Sequence, residues 1–228
     1  MHATSSGTRL YRLARNVLAP ALRAAYDIDI EGRSHIPAVG PVVLAPNHRS
    51  FMDSLFVPAA VPRPVSFLAK AEYFDKRTTA WMFRATGQIP VRRGSPAGAR
   101  QALAAAREVL DGGGIVGIYP EGTRSRDGLL HRGNLGPARL AFATNTPIIP
   151  VGLIGTAEVQ APDKRLPRVG QPVAVRFGAP IWPDLGVANQ RVYLRELTEE
   201  LMHRIASLCE QEYVSRSTLE KCAAASSS

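Results

Sequence analysis

The chain has 228 residues, of which 45% are hydrophobic and 21% charged, and 28 Lys and Arg against 19 Asp and Glu give a formal charge of +9. A chain of this length buries roughly 70% or more of its unfolded surface, which excludes a small disulfide- or metal-stapled scaffold and, with this composition, excludes wholesale disorder. The basic excess favours an anionic partner, whether nucleic acid, an anionic membrane or a phosphorylated substrate.

In chain order, residues 8–25 read as an amphipathic helix. Leu10, Leu13, Val17, Leu18, Ala21 and Leu22 recur at spacings of three and four, with Arg9, Arg12, Arg15 and Arg23 at other angles. Thr8 is placed to cap it and Pro20 to kink it. Such a stripe suits either an anionic lipid surface or the flank of the chain's own domain. Residues 41–45 read as a buried strand, 65–69 as a second, 78–86 as a helix stopped by Gly87, and 88–92 as a short strand. Residues 96–110 form a strong helix with Pro96 in its first turn, many alanines and Gly112 to Gly114 as its stop. A strand at 115–119, a helix at 137–144, an apolar strand at 148–154, an alternating strand at 173–177 and a long helix over 189–213 complete the series. The last helix carries Leu194, Leu197, Leu201, Ile205 and Leu208 on one side. Strands alternating with helices predict a single α/β domain with a mixed, largely parallel central sheet flanked by helices. The expected division is an N-terminal interfacial helix over 1–26, the α/β domain over 27–214 and a flexible tail over 215–228.

No run of about 18 apolar residues is present, so no membrane-spanning helix is expected, and no secretory signal is recognised. Cys209 and Cys222 lack zinc-site spacing and would close only a trivial loop, so both are read as reduced thiols. No metal site is expected. Gly112-Gly113-Gly114-Ile115-Val116-Gly117 fits a Gly-x-Gly-x-x-Gly string. A dinucleotide fingerprint follows a strand and opens a helix, whereas this string ends a helix and opens a strand, so it is set aside.

Two stretches carry candidate chemistry. His48 follows the strand at 41–45, at the strand end where α/β folds place active-site groups, and Asp53 comes five residues later. With a helix starting just after His48, Asp53 would lie about one turn along it and reach back to one imidazole nitrogen. The other nitrogen would then be free to act as a general base. On spacing alone, Asp53 equally suits a helix cap. Tyr119-Pro120-Glu121-Gly122-Thr123-Arg124-Ser125 follows the strand at 115–119. Its Gly122 amides, Thr123 hydroxyl and Arg124 guanidinium suit a phosphate or hydroxyl, and equally a solvated turn. Arg92 and Arg93 form a third basic point at the end of the strand at 88–92.

Taken together these stretches resemble the PlsC-type 1-acylglycerol-3-phosphate (lysophosphatidic acid) acyltransferase family. The resemblance rests on Asn47-His48-x-Ser50-x-x-Asp53, Gly87-Gln88-Ile89-Pro90-Val91-Arg92-Arg93, Tyr119-Pro120-Glu121-Gly122-Thr123-Arg124-Ser125 and the apolar block at Ile149-Pro150-Val151. All four stand in the family's order within residues 40–154. The resemblance implies His48 as general base and Asp53 as its orienting carboxylate. It implies Arg93 on the acceptor phosphate, with Arg92 and Lys70 as further contacts, and Glu121, Gly122, Thr123 and Arg124 binding the acceptor. Ile149 to Val151 would line the acyl region. The chain departs from the family pattern in Arg92, where an acidic residue is common, and in Tyr119 for Phe. It departs also in Leu130-His131-Arg132-Gly133, where a Phe-Lys-Lys-Gly-like turn is usual, so that Arg132 would stand in for a lysine.

The resemblance further implies transfer of an acyl group from acyl-CoA or acyl carrier protein, as co-substrate and without a cofactor, to lysophosphatidic acid. The product is phosphatidic acid, made at the cytoplasmic face of the cell membrane by a peripheral protein that does not bind nucleic acid. Direct attack of an alcohol on a thioester needs a base and an oxyanion site and no serine nucleophile, and no Gly-x-Ser-x-Gly elbow occurs. The alternatives are a glycerol-3-phosphate or other lysophospholipid acyltransferase, and a non-enzymatic basic protein of membranes or nucleic acid. Aromatic residues are only 7% and unclustered, which weakens single-strand binding.

Overall fold

The computed structural model describes residues 5–92 and 94–215. Arg93, Cys222 and the tail from 216 onward lie outside the described residues, as do the side chains of Arg9, Leu10, Arg12 and Leu13. The chain runs α1 (Ser5–Ala25), β1 (Asp27–Glu31), β2 (Val42–Pro46), α2 (Asp53–Ala60), β3 (Val65–Lys70), α3 (Glu72–Asp75), α4 (Arg77–Ala85) and β4 (Ile89–Val91). It continues through α5 (Pro96–Asp111), β5 (Ile115–Gly117), α6 (Gly136–Thr144), β6 (Ile148–Ile154), α7 (Thr156–Val159), β7 (Pro172–Phe177) and α8 (Gln190–Cys209).

The strands form one sheet in the order β1-β7-β6-β2-β5-β3-β4. Every neighbouring pair is parallel except β6 with β7. This is the mixed, largely parallel sheet that the alternation predicts. Parallel strands need crossovers, and the crossovers cover both faces. One face carries a core built with α1 and α2, including Leu22, Met52, Phe56, Val57 and Val175. The other carries α5, α6 and α8 through Ala102, Ala106, Leu140, Leu201, Met202 and Ile205. All five residues of β2 are therefore buried, and its sequence Val-Val-Leu-Ala-Pro reads as a continuous apolar run without alternation.

Local signals explain most boundaries. Ser95 caps α5 by accepting the Gly98 N–H, and Pro96 supplies the first helical position. Asn189 caps α8 by accepting from Val192. Three findings differ from the sequence reading. Strand β1, Asp-Ile-Asp-Ile-Glu, sits at a sheet edge where half-buried isoleucines alternate with exposed acids. Its charges disguise it and also blunt the edge against pairing with another chain. Helix α2 begins at Asp53 itself, so Asp53 is not one turn along a helix. Helix α8 stops at Cys209, four residues short of the expected end, because Glu210 turns left-handed at φ 58°.

Helix α1 runs on through Pro20 and packs on its own domain. Tyr11 and Leu22 are buried and Leu18 is packed against the same core, while the Tyr11 hydroxyl accepts the Val65 N–H at 3.2 Å. Val17 and Ala21, also in the expected stripe, face outward.

Helix α8 lies so closely on β6 that a Cβ at Gly152 would come 2.5 Å from the Leu208 carbonyl carbon. Gly152→Ala should therefore destabilise the domain by about 1–3 kcal/mol, the usual cost of overpacking. A thermal melt reads this as roughly 2–4 °C of Tm per kcal/mol in a chain of this size.

Candidate active site

The site is built where β2 leaves the sheet. The Asn47 backbone N–H still reaches the Val151 carbonyl of β6. Its carboxamide then makes the next rung of the ladder: Oδ1 accepts the Leu153 N–H at 2.7 Å and Nδ2 donates to the Leu153 carbonyl at 3.0 Å. A second Nδ2 bond, 2.6 Å to Gln211 Oε1, ties this point to the segment after α8. Only a carboxamide offers donor and acceptor in one plane, so Asn47 lets the chain turn away without orphaning either Leu153 group.

His48 stands on this anchored turn. Its Nδ1 lies 2.9 Å from Asp53 Oδ2, and that oxygen also accepts the Arg49 and Ser50 backbone N–H groups at 2.8 Å each. Asp53 is fully buried and the His48 side chain is 12% exposed. The carboxylate reaches back five residues because residues 48–52 fold as a compact turn, with Ser50 Oγ accepting the Met52 N–H at 3.1 Å. The imidazole lies flat on the Tyr119 ring, centroids 3.8 Å apart and planes within 17°. Tyr119 is held by Ser54 Oγ at 3.0 Å and by the Phe67 ring. Burial first, and then the neighbouring Asp53 charge, push the Tyr119 phenol well above its ordinary range, so His48 rests on a neutral ring. The His48 Nε2 makes no hydrogen bond with the described residues and is the one ring nitrogen left for chemistry.

The loop after β5 fixes the His48 backbone. Glu121 Oε1 accepts the His48 N–H and Oε2 accepts the His131 N–H, both at 3.1 Å, while the Ser125 N–H donates to the His48 carbonyl at 2.8 Å. Burial raises the Glu121 carboxyl above its ordinary range, and the two backbone amides oppose that rise. Gly122 takes φ 72° in the turn that follows, where a side chain would be strained. Thr123 is exposed and Arg124 half-buried, and neither polar group is hydrogen-bonded to a described residue.

Lys70 and Arg92 lie further along the same carboxyl edge. Lys70 ends β3 with its Nζ 2.9 Å from Glu72, and Arg92 is exposed just beyond β4. These strands are second and third from β2 in the sheet, about 10 and 14 Å across at ordinary strand spacing. Arg132 instead lines a groove of about 510 Å³ with Arg195, Glu199 and His203, and neither His48 nor Asp53 borders it. Among the described residues no group of three or more His, Cys, Asp or Glu is placed to hold a metal ion.

A family model described as Acyltransferase matches residues 27–154, more than half of the chain. The chain belongs to the acyltransferase family. It is 30% identical over 135 residues to a chloroplastic 1-acyl-sn-glycerol-3-phosphate acyltransferase of Brassica napus, covering 59% of this chain and 39% of that protein. Over 202 residues it is 26% identical to a 1-acyl-sn-glycerol-3-phosphate acyltransferase of Bacillus subtilis, covering 87% of this chain and 96% of that protein. The chain thus spans about two fifths of the plant relative and nearly all of the bacterial one. Among solved structures it is similar to the 1-acyl-sn-glycerophosphate (LPA) acyltransferase PlsC from Thermotoga maritima. The TM-score is 0.68 at 25% identity, over 85% of this chain and 78% of that one.

Within this acyltransferase frame, Asn47, Tyr119 and Gln211 do work that the sequence reading did not assign. Asn47 and Tyr119 were visible as members of ordered blocks. Gln211 is 164 residues from its partner and carries no local signal. Buried Cys209 stands close enough to feel both Glu121 and Arg49, and burial pushes its thiol up to about 11. Starting from 9.0, that shift leaves about 100-fold less thiolate at neutral pH. In a Cys222→Ser chain, iodoacetamide at pH 8 should therefore modify Cys209 at least about 100-fold more slowly than a free thiol. Ready labelling would show that the thiol is not enclosed as described.

Proposed function

We propose that the chain acylates the free hydroxyl of lysophosphatidic acid, using an acyl-CoA or acyl carrier protein thioester and releasing phosphatidic acid. The observation that carries this reading is the His48 Nδ1 contact with buried Asp53 Oδ2, which leaves Nε2 as the ring nitrogen without a hydrogen bond to the described residues. Support also comes from the similar proteins of Bacillus subtilis, a 1-acyl-sn-glycerol-3-phosphate acyltransferase, and Thermotoga maritima, a 1-acyl-sn-glycerophosphate (LPA) acyltransferase. Nε2 takes the hydroxyl proton while the oxygen attacks the thioester carbonyl, and Asp53 stabilises the imidazolium. The tetrahedral oxyanion collapses, the C–S bond breaks, and the departing thiolate takes the proton back from Nε2.

Arg124, Thr123, Lys70, Arg92 and Arg93 are the proposed contacts for the acceptor phosphate. Glu121 and Gly122 hold the shape of the His48 loop. The proposed setting is the cytoplasmic face of the cell membrane, met peripherally and in part through α1; no helix among the described residues is long and apolar enough to cross a bilayer.

His48→Ala should lower kcat by about 10²–10⁴ and, by taking one of three donors from the buried Asp53 carboxylate, lower stability by about 1–3 kcal/mol. Asp53→Asn keeps an oxygen for the three N–H donors but removes the charge, so a comparable loss should appear in kcat and not in folding. The purified chain, offered an acyl thioester with lysophosphatidic acid, glycerol 3-phosphate or lysophosphatidylcholine, should turn over the first fastest. Undiminished turnover by folded His48→Ala would remove the base assignment, and no product from lysophosphatidic acid would remove the acceptor assignment.

A further inference from the structure

Helix α4 is turned the opposite way from an ordinary surface helix. It presents small Ala80, with Phe83, to the domain, while Trp81 is 63% and Met82 41% exposed. Phe83 stacks on Tyr73 with centroids 5.1 Å apart and packs on Phe74 at 5.4 Å, which anchors the helix. Trp81 has neither a ring partner nor a hydrogen bond among the described residues. Arg77 and Arg84, at i−4 and i+3, share its helix face, and Lys76 immediately precedes the helix. Arg84 Nη2 is hydrogen-bonded to the Phe74 carbonyl at 3.0 Å. Lys76 and Arg77 have no carboxylate partner among the described residues. From Lys70 to Ala85 four basic side chains stand against Glu72 and Asp75, so the patch keeps a net positive charge.

Two features connect this face to the rest of the molecule. Helix α1 packs beside α4 and exposes Val17 at 67%. On the other side, Tyr73 meets Phe51 at 6.3 Å, and Phe51 is itself 39% exposed in the turn between His48 and Asp53. A line of aromatic side chains, Phe51, Tyr73 and Phe83, thus runs from the loop bearing the general base to the helix bearing Trp81.

We propose that the outer face of α4, centred on Trp81 and flanked by Lys76, Arg77 and Arg84, seats in the headgroup layer of an anionic bilayer, so that the turn bearing Phe51 and His48 stands beside the lipid surface. Indole belongs at that depth, with its apolar ring among the upper acyl chains and its N–H at the headgroups. The flanking cations meet anionic lipid while their stems lie along the apolar boundary. The exposed Phe51 then lies on the path by which an acceptor, its acyl tail still in the bilayer, brings its hydroxyl to His48. The inference rests on the lipid-acceptor reading above for its purpose but not for its physical evidence.

The chain has two tryptophans, and Trp182 follows Ile181, which pairs with the first residue of β6, the opposite end from the site. A Trp182→Phe chain therefore reports Trp81 alone, and a Trp81→Phe chain serves as the internal control. With vesicles of phosphatidylcholine and phosphatidylglycerol, Trp81 emission should shift to the blue and be quenched by lipids brominated near the headgroup, with Trp182 unaffected. Trp81→Ala and Arg77→Glu should each weaken partitioning about tenfold. Both variants should keep wild-type turnover of a short-chain lysophosphatidic acid held below its micelle concentration, and lose turnover of acceptor embedded in vesicles. Vesicle-bound protein with unquenched Trp81, unchanged partitioning of the variants, or no vesicle binding at all would overturn the docking face. Quenched Trp81 in a chain that acylates no lysophospholipid would uphold the docking face and overturn the acceptor reading instead.

Discussion

Asp53 Oδ2 is the point on which the rest of the site depends. A carboxylate fully removed from water is unfavourable unless hydrogen bonds replace its hydration. This oxygen receives three: the imidazole of His48 and the backbone N–H groups of residues 49 and 50. The same contacts fix three consecutive residues of the turn, so the orientation of the ring and the conformation of the loop are one constraint. Helix α2 holds the carboxylate in place because Phe56, Val57 and Ala60 bury its next turns in the core beneath the sheet. A shift of α2 would move imidazole and loop together.

That turn is also held from outside, and the position of β2 explains how. It lies between β6 and β5, so both neighbours end beside it. From β6 comes the Leu153 rung completed by Asn47, and from the loop after β5 come Tyr119 beneath the ring and Glu121 and Ser125 on the backbone. The early end of α8 belongs to the same arrangement. By leaving the helix at Glu210 the chain brings Gln211 to both Asn47 Nδ2 and the Gly128 carbonyl, so the segment after α8 closes over the β2 turn. Glu121 gives both of its oxygens to backbone N–H groups, which makes it a brace between two loops whatever else it touches.

The alternation of apolar runs with helical periods carried the fold, because both faces of a parallel sheet must be buried and that requirement is written locally as continuous apolar strands and capped amphipathic helices. What was hidden is what local pattern does not encode. Strand β1 has only two isoleucines among three acids, and its pairing with β7 is a contact across about 145 residues. The start of α2 at Asp53 is set by the carboxylate's bonds to preceding backbone and not by a hydrophobic period. In the site, spacing alone left His48 and Asp53 an ordinary pair, and ordered neighbouring blocks singled them out. The stacking of His48 on Tyr119 and the Asn47–Gln211 bond exist only once β2, β5 and α8 have assembled.

The arrangement matches two tasks that the proposed lipid acyl transfer would require. His48 and Asp53, proposed to set the proton transfer, are largely and fully buried and are held by several partners, so their geometry is determined by the fold before any ligand arrives. Lys70, Arg92 and Arg124, the described cations proposed for the acceptor phosphate, are exposed or half-exposed, and in open water such charges contribute little, about 0–1 kcal/mol for a surface pair. Their attraction to phosphate grows as the effective dielectric falls. A bilayer covering the α4 face and the turn at Phe51 would lower it there without moving any side chain that touches Asp53. Under the proposed docking, headgroup recognition is conditional on the bilayer, while the imidazole of His48 is oriented beforehand. The proposed acceptor, free in water, would meet an already oriented His48 and only weak electrostatic selection.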